Sequence, residues 1–211
     1  MSYEFDADTA VRREADGAYA ATLAQRWGVP GGPPNGGYVM ALAARAMAEH
    51  LDRPHPASLT CHFVAPASPG EATIEVETVR PGGRHATGAA SVRQGDREVA
   101  RLLGTFTDLD RASGPTLVTA GPPDLPPVEQ CKASPPSEQT ILGRFDYRMP
   151  AEDLAWRTGQ PKGEGRVRGY LAFHDGRPID PLALVTIVDA FAPAAFDLGL
   201  PPSWVPTIEL T

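Results

Sequence analysis

Apolar and polar residues in the first half of the chain form short runs of β-type composition, separated by turn-forming residues. Residues 8–13 and 18–24 are two such runs, and the Asp16-Gly17 pair between them predicts a β-hairpin. Pro-Gly, Gly-Gly and Gly-Asp pairs divide a later stretch in the same way. That stretch predicts four further strands, at 58–65, 72–80, 84–94 and 97–107.

A long apolar segment, residues 36–51, interrupts these strands and predicts a buried helix. It has no charged residue from Tyr38 to Ala44, so its first two turns should be buried on most sides. Its many alanines would let a sheet approach closely, and Pro54 and Pro56 end the helical segment. A long core helix among antiparallel strands predicts an α+β fold in which a sheet wraps around the helix.

The second half repeats this order after a stretch rich in Pro, Gly, Ser and Thr, which is typical of a linker. We predict a domain at 1–109, a linker at 110–143 and a second domain at 144–211. The elements predicted in the second domain are strands at 144–149, 165–174 and 204–211 and a helix at 181–192.

Only one predicted strand follows the second helix, so we expect the second domain to lack its last strands. Apolar surface and an unpaired sheet edge would then be exposed. We therefore expect that the second domain is truncated or that a partner completes it, and we expect a homo-oligomer.

The formal net charge of -7 argues against nucleic acid or an anionic membrane as a partner, because both bind to surfaces with clustered Lys and Arg. The acidic start has no leader, and no apolar run approaches the roughly 18 residues that span a bilayer, so we expect a cytoplasmic protein. Cys61 and Cys131 are too few for a disulfide framework or a zinc site. No serine-nucleophile, phosphate-loop, dinucleotide or zinc-protease motif occurs, and we expect no metal or cofactor.

The start of the first helix carries the sequence Asn35-Gly36-Gly37, although glycine costs helix stability. Glycines would let a ligand oxygen reach the free N–H groups at the positive end of the helix, as in an oxyanion hole. The alternative is a tight turn with Asn35 as N-cap. On the first interpretation, a substrate carbonyl rather than a side chain caps this helix.

Asp189 is the acidic residue of the second helix, within the apolar run LVTIVDAFA. A carboxylate inside an apolar helix is costly unless it is paired, hydrogen-bonded or neutral, which favours a functional acid in a cleft. The alternative is that Asp189 caps a backbone end or lies on a solvated stripe. Thr207 is polar among apolar residues of the last strand, where a threonine can also serve only as a good β-former.

The residues resemble a known family, the double-hotdog acyl-CoA thioesterases of the acyl-CoA thioesterase II type. In the first half the resemblance rests on PPNGGYVMALAARA and on the later RPGGR and QGD turns in their strand context. In the second half it rests on DPLALVTIVDAF followed by PTIELT. The resemblance spans nearly the whole chain and implies a tandem (double) hotdog. In that fold each half wraps a sheet around a central helix, the two helices lie side by side, and the halves share one continuous sheet.

By this resemblance, Asp189 matches the catalytic aspartate and Thr207 matches the threonine of the following strand. Both would orient a water that attacks the thioester, with the carbonyl polarised near Gly36 and Gly37. The family's catalytic glutamine has no counterpart in these 211 residues. We expect a fatty acyl-CoA substrate, bound by Asn35, Gly36, Gly37 and Tyr38.

Two other functions stay open. The first is a non-catalytic acyl-CoA-binding or assembly protein that keeps the hotdog scaffold. The second is a hotdog hydratase or dehydratase, which is the weaker alternative because neither helix offers a histidine in its buried part.

Overall fold

The computed structural model describes residues 2–134, 137–200 and 205–211. The first half contains helix α1 and a hairpin, then the long helix α2 and four long strands. The second half has shorter elements. The elements are α1 (Glu4–Asp8), β1 (Val11–Ala15), β2 (Ala18–Leu23), α2 (Gly36–Leu51), β3 (His55–Phe63), β4 (Gly70–Arg80), β5 (His85–Gln94), β6 (Arg97–Thr107), β7 (Lys132–Ala133), β8 (Phe145–Met149), β9 (Tyr170–Phe173), α3 (Pro181–Ile187) and β10 (Glu209–Leu210).

The main sheet has seven antiparallel strands in the order β1-β2-β4-β5-β6-β3-β10. Alternate residues of β4, such as Ala72, Ile74 and Val76, are buried, as expected for a strand with one face toward the core. Helix α2 packs against β3 to β6, and four of its five alanines are buried. The predicted core helix with a sheet around it is therefore confirmed for the first half.

The two halves contact each other through their helices and through one strand. Helix α3 packs against α2, as the side-by-side arrangement requires, and β10 extends the main sheet by pairing with β3. Strands β7, β8 and β9 form a separate three-stranded sheet. Within the described residues the halves thus share only part of a sheet, and the expectation of one continuous sheet is wrong for these three strands.

Several predicted boundaries differ from the observed ones. The first strand begins at Val11, because the preceding residues form α1, a helix whose Phe5 is fully buried. The strand predicted at 165–174 is limited to β9, and that at 204–211 to β10, with Trp204 outside the described residues. In both segments few residues pair with a neighbouring strand, and a β-strand extends only as far as this pairing does.

A charged cluster at α1 joins the two halves. Arg177 is 8% exposed, and its guanidinium donates to the Asp6 carboxylate at 2.9 and 3.0 Å and to Asp180 at 2.6 Å. The same guanidinium lies over the rings of Phe5 and Phe173. Asp180 also caps α3 by accepting a hydrogen bond from the Ala183 N–H. The cluster therefore fixes the start of α3 against the first half.

Within the part of the chain that the structure describes, no helix combines the length and the apolar character needed to cross a bilayer.

Candidate functional site

The start of helix α2 is capped by the side chain of Asn35, as the N-cap interpretation predicted. Asn35 Oδ1 accepts a hydrogen bond from the Tyr38 N–H at 3.0 Å. Asn35 Nδ2 donates to Asp189 of the second half. The residue is 4% exposed, so both ends of its amide need partners, and both have them.

Asp189 lies just beyond α3 rather than inside it. The helix ends at Ile187, and the Asp189 N–H bonds to the Thr186 carbonyl at 3.2 Å in the turn that follows. The prediction of a helix over 181–192 with an internal carboxylate is therefore wrong. The side chain is half-buried and points toward the N-terminus of α2, where the helix dipole favours a negative charge.

The Asp189 carboxylate is hydrogen-bonded at both oxygens. Oδ2 accepts from the Gly37 N–H at 2.9 Å and from Asn35 Nδ2 at 3.0 Å. Oδ1 accepts from the Thr207 hydroxyl at 2.9 Å. Asp189 does cap a backbone end, as one alternative proposed, and that end belongs to α2. Because residues from both halves hold the carboxylate, its position depends on how the halves pack.

The close approach of the second half explains the two glycines. A Cβ on Gly37 would lie 2.8 Å from the Thr186 carbonyl oxygen and 2.9 Å from the Asp189 Cβ. A Cβ on Gly36 would lie 3.0 Å from Asp189 Oδ2 and 2.9 Å from the ring of Phe63, which belongs to the first half. The prediction that a substrate rather than a side chain caps this helix is wrong at Gly37, whose N–H donates to Asp189. The Gly36 N–H has no partner among the described residues.

A cavity of about 360 Å³ lies beside this carboxylate. Asn35, Gly36, Asp189 and Thr207 line it, so the structure brings together four of the six predicted site residues. The rest of the lining is mainly apolar and includes Pro33, Pro34, Leu142, Trp156, Phe191 and Phe196. A mostly apolar cavity with a few convergent polar groups is the usual form of a small-molecule site.

Tyr38 belongs to the core of the first half and does not line this cavity. Its ring is fully buried and stacks on Trp27 with the centroids 5.1 Å apart. Its hydroxyl accepts from the Ala24 N–H and donates to the Asp8 carbonyl. The prediction that Tyr38 binds substrate does not fit this placement, since its side chain points into the core and not toward the cavity.

Cys61 is fully buried near the site. Burial, together with the charge of Asp189, raises the pKa of the Cys61 thiol to about 12. The thiol therefore stays protonated near neutral pH, and only the thiolate is a strong nucleophile. Covalent catalysis by this cysteine is not favoured.

The sequence did not reveal the aromatic residues of the cavity wall. Trp156 lies on a 3-10 helix at Ala151–Thr158, and Phe196 lies on another at Ala194–Leu198. No regular element was predicted at either place. A tryptophan in an otherwise polar segment was the only available signal, and by itself it does not indicate which cavity the ring lines.

Two family models match this chain in tandem. The model of the acyl-CoA thioesterase N-terminal domain matches residues 23–107, and the model of the acyl-CoA thioesterase C-terminal domain matches residues 122–211. A comparison with curated proteins finds no match.

Solved structures include several that are similar over most of the chain. A proposed thioesterase II from Thermobifida fusca is 30% identical with a TM-score of 0.82, over 98% of this chain and 78% of that one. A hotdog-fold protein of unknown function from Alicyclobacillus acidocaldarius is 21% identical with a TM-score of 0.81, over 99% and 77% of the two chains. An acyl-CoA thioesterase II from Mycobacterium marinum is 18% identical with a TM-score of 0.62, over 88% and 66%. The last two show similarity of fold alone.

The tandem order of the two domains and the hotdog-fold neighbours confirm the predicted α+β double hotdog. The similarity extends through both halves and includes the segments that carry Asn35 and Asp189. The chain therefore belongs to the acyl-CoA thioesterase family, a family of thioester hydrolases.

Proposed function

We propose that this chain hydrolyses an acyl-CoA to a free acid and CoA, using a water that Asp189 positions and deprotonates. The main support is the place of the Asp189 carboxylate, on the wall of an apolar cavity and at the start of α2. Family membership supplies the class of reaction, and the apolar lining suits an acyl chain.

Counted over the described residues, Asp189 keeps one hydrogen-bond acceptor position for a water. An ionised carboxylate offers about four acceptor positions. Gly37 and Asn35 use two of them at Oδ2, and Thr207 uses one at Oδ1. The remaining position on Oδ1 would accept a hydrogen bond from water. A general base must lie within such hydrogen-bond reach of the proton that it removes.

Gly36 would polarise the thioester carbonyl. Its N–H lies at the positive end of a 16-residue helix and has no partner among the described residues. A donor aimed at the developing oxyanion stabilises the transition state more than the ground state. Because Asp189 already occupies the Gly37 N–H, this role is assigned to Gly36 alone.

Hydrolysis consumes one water and moves one proton through Asp189. The water oxygen attacks the thioester carbon while Asp189 takes one of its protons, and the negative charge on the carbonyl oxygen faces the Gly36 N–H. The C–S bond breaks as the carbonyl reforms. The CoA thiolate leaves and receives the proton from Asp189, which restores the carboxylate.

The test is free-thiol release from a panel of acyl-CoAs, measured for the wild type and for Asp189→Asn. The amide keeps the size of the side chain and cannot act as a base, so we expect kcat to fall at least about 100-fold. Thermal unfolding of both proteins checks that the variant is folded. Near-normal turnover by Asp189→Asn would reject the assignment.

The same experiment addresses the alternative of a non-catalytic acyl-binding protein. In that case neither protein would release thiol, while calorimetry would still detect binding of acyl-CoA. If neither thiol release nor acyl-CoA binding is detected, both functions are rejected.

A further inference from the structure

Two aromatic rings form part of the cavity wall beside Asp189. Trp156 and Phe196 are inclined by 45° with their centroids 5.1 Å apart, and both line the cavity. The Arg157 guanidinium lies over the Trp156 ring, 5.4 Å from its centroid. The pair therefore joins two short 3-10 helices, although its two residues are 40 positions apart in the sequence.

A buried carboxylate holds the helix that carries Phe196. Asp197 is fully buried, and its side chain accepts hydrogen bonds from the backbone N–H groups of Lys162 and Glu164 at 2.9 and 3.2 Å. Its backbone carbonyl accepts from the Gly163 N–H at 2.8 Å. A buried carboxylate with several donors is expensive to displace, so Phe196 has little freedom to move away from the cavity.

A second buried carboxylate holds the helix that carries Trp156. Asp153 is fully buried and accepts from Lys162 Nζ at 3.2 Å and from the Arg168 guanidinium at 3.0 Å. Lys162 thus contacts both carboxylates, through its N–H and through its ammonium group. The segment 162–168 ties the two helices together, and the aromatic pair forms a braced wall.

We propose that Trp156 and Phe196 set the upper limit on the size of the acyl group that this enzyme accepts. This inference rests on the proposed function, since it takes the cavity beside Asp189 as the acyl site. The cavity of about 360 Å³ is near the lower end of the 300–1,000 Å³ that is usual for ligand pockets. A long acyl chain would meet the aromatic wall, and a braced wall cannot yield without breaking buried hydrogen bonds.

The experiment compares acyl-length profiles of kcat/KM for the wild type, Trp156→Ala and Phe196→Ala, using saturated acyl-CoAs from C4 to C16. A methylene in an apolar pocket changes kcat/KM about 10- to 200-fold. We therefore expect the ratio of long-chain to short-chain kcat/KM to rise at least about tenfold in each variant.

Leu198→Ala is the matched control. Leu198 lies on the same 3-10 helix as Phe196, is 47% exposed and does not line the cavity, so its removal should leave the length profile unchanged. Trp156→Phe and Phe196→Leu cover the case in which an alanine variant does not fold. The indole N–H of Trp156 has no hydrogen-bond partner among the described residues, so Trp156→Phe breaks no such bond.

The affinities of S-alkyl-CoA thioethers of the same lengths, which have no carbonyl to hydrolyse, separate this inference from the proposed function. If the alanine variants prefer longer thioethers than the wild type does, the result supports Trp156 and Phe196 as the size limit. This holds even if the wild type hydrolyses nothing, in which case only the proposed function fails. Unchanged length profiles in folded variants, or an equal shift in Leu198→Ala, would overturn the inference.

Discussion

Asn35 Nδ2 donates hydrogen bonds to two oxygens of Asp189, the backbone carbonyl at 2.8 Å and Oδ2 at 3.0 Å, although 154 residues separate the two in sequence. The opposite end of the same amide caps α2 through the Tyr38 N–H. A helix cap in the first half thus orients the carboxylate of the second half. Neither half holds this carboxylate in place by itself.

We predict that Asn35→Asp keeps the cap and impairs catalysis. A carboxylate still accepts from the Tyr38 N–H, but it would lie about 3 Å from Asp189 Oδ2 in place of a donor. Two carboxylates this close resist ionising together, so one holds its proton to higher pH. The acidic limb of the kcat/KM profile against pH should therefore move to higher pH, with at least about tenfold lower activity near neutrality.

Asn35→Ala provides the comparison for this effect. It removes the cap, which typically costs about 1 kcal/mol of folding free energy, but it adds no charge. We expect a lower unfolding temperature, while the acidic limb of the kcat/KM profile stays at the pH of the wild type. If the pH profiles of Asn35→Asp and the wild type coincide, the amide does not act through Asp189.

The hydroxyl of Thr207 can be tested separately from the shape of its side chain. Thr207→Val keeps the size but loses the hydrogen bond to Asp189 Oδ1, and Thr207→Ser keeps the hydroxyl. We expect kcat to fall about tenfold or more in Thr207→Val and to stay within a few-fold of the wild type in Thr207→Ser, in thiol-release assays. Thr207 lies before β10, so its predicted place inside the last strand is wrong. Equal activity of the two variants would show that the hydroxyl takes no part in catalysis.

Gly37→Ala should destabilise the protein, even though alanine is the better helix former by about 1 kcal/mol. The new Cβ would lie 2.8 Å from the Thr186 carbonyl oxygen, a backbone atom that cannot turn aside. The end of α3 must then move away from α2 and take Asp189 with it. The free energy of unfolding, measured with denaturant, and the turnover rate should both decline. A stabilised, fully active variant would show that the close packing is not required.

A matched comparison is available at Gly31, where φ is positive and a Cβ would meet no atom within 4 Å. Gly31→Ala carries only the strain of the left-handed backbone. Its effect on turnover should therefore be smaller than that of Gly37→Ala.

The ion pair between Asp6 and Arg177 predicts a pH-dependent contribution to stability. Burial acts to raise the pKa of Asp6, but hydrogen bonds and charge from Arg177 and Arg45 outweigh it and hold that pKa below its usual value. Because the folded-state pKa is lowered, the contribution is present above the unfolded value of about 3.9 and is lost as pH falls below it. Asp6→Asn should lower the free energy of unfolding by about 1–3 kcal/mol at pH 7.

Denaturant unfolding at pH 7 and at pH 3 measures this contribution. The difference between wild type and Asp6→Asn should shrink at the lower pH, because the unfolded state binds a proton at Asp6 more readily than the folded state does. An unchanged difference would mean that the carboxylate charge contributes nothing to the contact between α1 and α3.

Local patterns in the sequence determined most of the first half. The helix predicted at 36–51 is α2, and strands β2 to β6 lie within a few residues of their predicted positions. Glycine and proline pairs mark turns by their own backbone preferences, and the cap at Asn35 needs only the three residues that follow it. The candidate residues Asp189 and Thr207 could also be selected, because a polar group in an apolar run is costly wherever it lies.

Only the tertiary structure decided how these residues combine. The end of α3 at Ile187, the use of the Gly37 N–H by Asp189 and the packing reason for both glycines all depend on contacts between the halves. Tyr38 was placed in the core by Trp27, a neighbour in space that helix periodicity does not reveal. The cavity wall at Trp156 and Phe196 lies on short helices held by buried carboxylates. Short elements have little local signal, because long-range hydrogen bonds and packing supply most of their stability.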